Sequence, residues 1–77
     1  MNPPAPHFHG MSTDQIHKIV LVGIQVVEGL ASGNDWRALE LYEGTAGWEV
    51  EERLAVLSML NSTQRATMKS LCAAARI

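Results

Sequence analysis

A chain of 77 residues, 47% hydrophobic and with a formal net charge of −2, has the size of one small domain. Such a chain buries only about 60% of the surface its unfolded form exposes, which is too little to enclose a deep catalytic cleft, so an enzyme is not expected. The single cysteine, Cys72, excludes an intrachain disulfide, and no apolar run approaches the roughly 20 residues that span a bilayer. The expectation is a reduced, cytoplasmic protein with no membrane association, supported by pairing with a second copy.

In chain order, Pro3, Pro4 and Pro6 fall in residues 1–10, where no hydrophobic period runs; this stretch reads as a flexible Pro-rich arm ahead of a helical domain at 11–77. The opening residues carry neither the charged nor the apolar region of a signal peptide. Ser12-Thr13-Asp14-Gln15 has the form of a capping box, so a first helix is predicted from Thr13. Ile16, Ile19, Val20, Gly23, Ile24, Val26, Val27 and Leu30 then share one broad face, and Ser32-Gly33-Asn34 supplies the stop.

Asn34 caps a predicted second helix from Asp35 to about Glu43, ended by Gly44. A third helix is predicted from Trp48 to Leu60, with Glu49, Glu51 and Glu52 in its first turn and Val50, Leu54, Leu57 and Leu60 as its buried face. Asn61-Ser62 interrupts the pattern. With Ser62 as N-cap, a fourth helix from Thr63 to about Arg76 turns Met68, Leu71, Cys72 and Ala75 inward. The connections are short, as antiparallel neighbours require, so the fold class is all-α: a small bundle of about four helices, completed by homodimerisation.

Helix one points to that dimer. Leu21 falls amid its polar side, Val22 lies at the edge, and Gly23 sits at the centre of the apolar face, where glycine costs about 1 kcal/mol relative to alanine. Close approach of a second helix would offset that cost, which makes Leu21, Gly23 and Val27 the self-association candidates. The alternative is that Gly23 accommodates Trp36 or Trp48 within one chain.

Chemical motifs are sparse. His7 and His9 form at most a short chelating pair in the arm, His17 is distant, and Cys72 lies on a helix edge where cysteine usually packs as a small hydrophobe; no metal, cofactor or nucleophilic centre is expected. Gly44-Thr45-Ala46-Gly47 lacks the Lys-Ser/Thr of a phosphate-binding loop. Charge is polarised along the chain. Asp35, Glu40, Glu43, Glu49, Glu51 and Glu52 precede Arg53, and no acid follows it.

Two surfaces follow from this pattern. Trp36, Tyr42 and Trp48 suit either the core or a protein interface, because large aromatic side chains bury much area while losing few rotors; with acids Glu43, Glu49 and Glu52 around them, a partner there would be basic. Arg65, Lys69 and Arg76 make a basic stripe that could meet an acidic protein or phosphates. Three cations without interleaved aromatics form a thin nucleic-acid footprint, so nucleic acid is the alternative partner and a protein the leading one.

The stretch Glu51 to Arg65, followed by Met68-Lys69, resembles a short helical module of bacteriophage and prophage proteins, found near the tail of single-strand annealing or recombination proteins. The resemblance covers roughly residues 34–72, with Leu57 standing where that pattern has an aromatic and Asn61 where it has an aspartate. It implies a phage or prophage origin and the role of an inhibitor or adaptor that binds a host or phage protein. The partner-binding candidates are Trp36, Tyr42, Trp48, Arg65 and Lys69, with Arg65, Lys69 and Arg76 for the nucleic-acid alternative.

Overall fold

A computed structural model describes residues 8–75; His7 and Arg76, both singled out above, lie outside the described residues. Four helices follow one another, α1 Thr13–Ala31, α2 Asp35–Glu43, α3 Val50–Ser58 and α4 Ser62–Ala75, and no strand occurs among the described residues. The all-α expectation holds.

The helix boundaries come from local hydrogen bonds. At the start of α1 the Gln15 amide donates to Ser12 Oγ at 3.1 Å, and the Ser12 amide donates to Gln15 Oε1 at 2.8 Å. Asn34 Oδ1 accepts from the Arg37 amide at 3.3 Å and starts α2. At α4 the cap is Asn61 rather than Ser62: its Oδ1 accepts from the Gln64 amide at 2.8 Å while its own amide donates to Gln64 Oε1 at 3.0 Å. Ser62 is therefore the first residue of α4. Asn61 and Gln64 form a reciprocal box, which gives them one more satisfied backbone group than a Ser62 cap would.

Helix α3 is shorter than its hydrophobic pattern suggests. Trp48 and Glu49 precede it, Glu49 being extended at φ −64° and ψ 151°, and the Met59 and Leu60 amides donate to Val56 O and Leu57 O in a tightened final turn. Its inward face is also different. Glu52, Ala55 and Val56 are buried, whereas Val50 and Leu54 are 69% and 51% exposed and Leu57 is half-buried. Small side chains at Ala55 and Val56 let α3 lie close to Ile19 of α1, and this rotation carries Glu52 inward with them.

Glu52 is 3% exposed and fully partnered. Its carboxylate accepts from the Glu49 amide at 2.9 Å and from Gln15 Nε2 at 3.1 Å, and it lies 3.1 Å from Lys18 Nζ. The Glu49 amide holds the Glu52 carboxyl below its ordinary range; burial pushes the other way, and Lys18 and Gln15 reinforce the lowering. Lys18 also stands 4.6 Å from the centroid of the Trp48 ring. One ion pair thus ties the first half of α1 to the start of α3.

The core is two adjoining clusters. Val26, Ala38, Leu39, Leu60 and Met68 form one, Ile19, Ala55 and Val56 the other, and Val22, Tyr42 and Met59 pack against both. Contact between α1 and α2 is tight because Gly29 leaves room for Ala38: a Cβ at Gly29 would stand 3.3 Å from Ala38 Cβ. Packing against the core is present at Phe8, within the stretch read as a Pro-rich arm. Phe8 rests on the second cluster, and its carbonyl accepts from the Met11 amide at 3.0 Å.

Candidate functional groove

An open groove of about 650 Å3 lies between the end of α2, α3 and α4. Its floor is apolar, contributed by Tyr42, Leu57, Met68 and Cys72, and its rim carries Arg53, Arg65 and Lys69 against a single acid, Glu43. A chain with net charge −2 thus places three of its cations around an apolar depression.

Two of the three cations are held by hydrogen bonds. Arg53 Nε donates to Thr45 Oγ1 at 3.3 Å, and its guanidinium carbon stands 5.2 Å from the Tyr42 ring centroid. Thr45, 1% exposed, donates in turn to Tyr42 O at 2.6 Å. The turn after α2 thus fixes the guanidinium beside the Tyr42 ring. Arg65 Nη1 donates to Leu60 O at 3.2 Å, closing the end of α3, and Lys69 follows one turn along α4. Cys72, a half-buried free thiol, lies one helical turn beyond Lys69. Cations over an apolar floor can hold carboxylates at the rim while aliphatic or aromatic side chains occupy the floor.

Of the five partner-binding candidates, Tyr42, Arg65 and Lys69 come together here and the two tryptophans do not. Trp36 is 70% exposed on the outer side of α2, away from the groove lining. Trp48 is half-buried against the Ile19 cluster and covered by Lys18, which gives it a packing role. The acidic surface imagined around the aromatics loses Glu52 to the internal ion pair, so it cannot present that carboxylate to a partner.

The self-association candidates separate in the same way. Leu21 is 53% exposed, but Val27 packs against the larger core cluster and Val22 against both clusters. Gly23 is buried, and the space a Cβ would need is occupied by Met59 Sδ and Cε. The close approach that glycine permits is made within one chain, by Met59 rather than by Trp36 or Trp48.

Sequence reasoning missed Arg53 and Leu57 as groove residues. Arg53 is the first base after the acidic stretch, which was a usable signal, but its anchoring to Thr45 and Tyr42 needs the tertiary turn. Leu57 shares a hydrophobic period with Val50 and Leu54, and the orientation of α3 sets it between the larger core cluster and the groove. Among the described residues, no three His, Cys, Asp or Glu side chains converge as a metal would require, and no helix is long and apolar enough to cross a membrane. No protein-family model, curated protein or solved structure matches the chain.

Proposed function

We propose that the chain is a non-enzymatic protein-interaction module whose groove between α2, α3 and α4 takes an acidic segment of a partner protein, one or two large apolar side chains of that segment seated on Tyr42, Leu57 and Cys72. The observation that carries this reading is the placement of Arg53, Arg65 and Lys69 around an apolar depression. Apolar anchors supply most of the binding energy in such grooves, and the rim charges supply orientation and choice of partner. An inhibitor or adaptor of a host or phage protein is the role that the likeness of Glu51 to Arg65 to phage modules adds to it. Against phosphate backbones as the main partner stand the small number of cations and the apolar character of the floor.

Selection of a random displayed-peptide library on the immobilised full chain, run beside a labelled single-stranded oligonucleotide, tests this reading. Enriched peptides should combine Asp or Glu with Leu, Phe or Trp, and the double substitution Arg65→Glu with Lys69→Glu should abolish their capture. Failure to enrich such peptides, or oligonucleotide binding that falls steeply with salt while peptides do not bind, would overturn it in favour of the nucleic-acid alternative.

A further inference from the structure

Helix α1 carries a second, independent surface. His17, Leu21, Ile24 and Glu28 are all exposed, Leu21 at 53% and Ile24 at 46%. At about 100° per residue they form one narrow row, roughly opposite the buried face of Ile19, Gly23 and Val26, so Ile24 departs from the apolar face on which the hydrophobic period places it. Their spacing of four, three and four residues is that of a coiled-coil seam.

This row is self-complementary in one orientation. Leu21 and Ile24 are symmetric about the peptide between Val22 and Gly23, and so are His17 and Glu28. An antiparallel copy, related by a two-fold axis at that point, sets Leu21 against Ile24 of its partner and His17 against the opposing Glu28. The imidazole N–H is a donor and the carboxylate an acceptor, so each end of the seam closes with a hydrogen bond. A parallel copy would instead oppose Glu28 to Glu28. Asp14, Lys18 and Gln25 are the other polar groups bordering the row on α1.

We infer that two copies of this chain pair through α1, antiparallel, with the row His17, Leu21, Ile24 and Glu28 as the seam. The inference moves self-association from the buried Gly23 to the opposite face of the same helix and does not depend on the groove. Two apolar residues per chain make a small interface, so the pairing is reversible and concentration-dependent.

Sedimentation equilibrium of the full chain, from micromolar to submillimolar concentration, tests it. A monomer–dimer equilibrium is expected, abolished by Leu21→Asp, which alters only an exposed position. His17→Glu should weaken the dimer about fivefold or more by setting two carboxylates against each other, Glu28→Lys should weaken it by removing the acceptor of the His17 hydrogen bond, and the double variant, which sets a carboxylate against an ammonium at each end, should restore it. A chain that stays monomeric throughout, a dimer that survives Leu21→Asp, or a double variant no tighter than the single ones would overturn the proposal.

Discussion

Met59, in the turn that leaves α3, packs onto the backbone of Gly23 at the middle of α1, so closely that a Cβ at Gly23 would overlap the Met59 sulfur. Gly23→Ala therefore combines a helix-propensity gain of about 1 kcal/mol with displacement of Met59 from both core clusters. Met59→Ala alone should cost about 2 kcal/mol as a partly buried truncation. In that background the obstruction is gone and Gly23→Ala becomes stabilising. Urea denaturation of the four proteins in this double-mutant cycle should show a coupling of about 1 kcal/mol or more; additive effects would mean the two residues do not compete for space.

The Glu52 ion pair predicts an acid-sensitive fold. Because the Glu52 carboxyl is held below its ordinary range, its contribution to stability is complete above that range and is lost as pH falls through the lowered value. Glu52→Gln should lower the urea midpoint at neutral pH and flatten its decline in acid. Lys18→Met, which keeps an apolar stem over Trp48, should shift the acid transition of the native carboxylate upward. An acid decline identical in wild type and Glu52→Gln would contradict the assignment.

The two tryptophans should behave oppositely. Trp36→Phe should change stability by less than about 0.5 kcal/mol, as surface substitutions do, whereas Trp48→Ala should cost about 2 kcal/mol through lost packing against the Ile19 cluster and Lys18. In fluorescence, acrylamide should quench the protein retaining only Trp36 more strongly than the one retaining only Trp48. Equal quenching would argue against the burial of Trp48.

Thr45 is a positioning residue for the groove. Thr45→Val keeps the shape of the side chain but removes the hydroxyl that receives Arg53 Nε, at a cost of about 1 kcal/mol in stability. It should also weaken capture of acidic peptides, because Arg53 is no longer fixed beside Tyr42. If Thr45→Val lowers stability but leaves peptide affinity unchanged, Arg53 does not act in binding.

Helices α1 and α2 were legible in the sequence because their limits are set by local chemistry: Ser12 with Gln15, then Asn34, then Gly44. Helix α3 was legible as a helix but not in its orientation. A pattern of Val50, Leu54 and Leu57 argues for one face, yet the close approach to Ile19 selects small Ala55 and Val56, and the amide of Glu49 with Gln15 and Lys18 makes burial of Glu52 tolerable. None of those partners is adjacent in a hydrophobicity pattern. The basic stripe of α4 was visible at Arg65 and Lys69, but the groove they border depends on where α3 and the Thr45 turn come to rest.

The central claim, that the groove receives an acidic segment with apolar anchors, is tested most directly by amide chemical-shift mapping of the isotopically labelled full chain during titration with a peptide from the display selection. The account predicts shifts concentrated at Tyr42, Arg53, Leu57, Arg65, Lys69 and Cys72, and their loss when Arg65 and Lys69 are replaced by glutamate. Shifts centred instead on Trp36 or on the outer face of α1, with the groove residues unmoved, would contradict it.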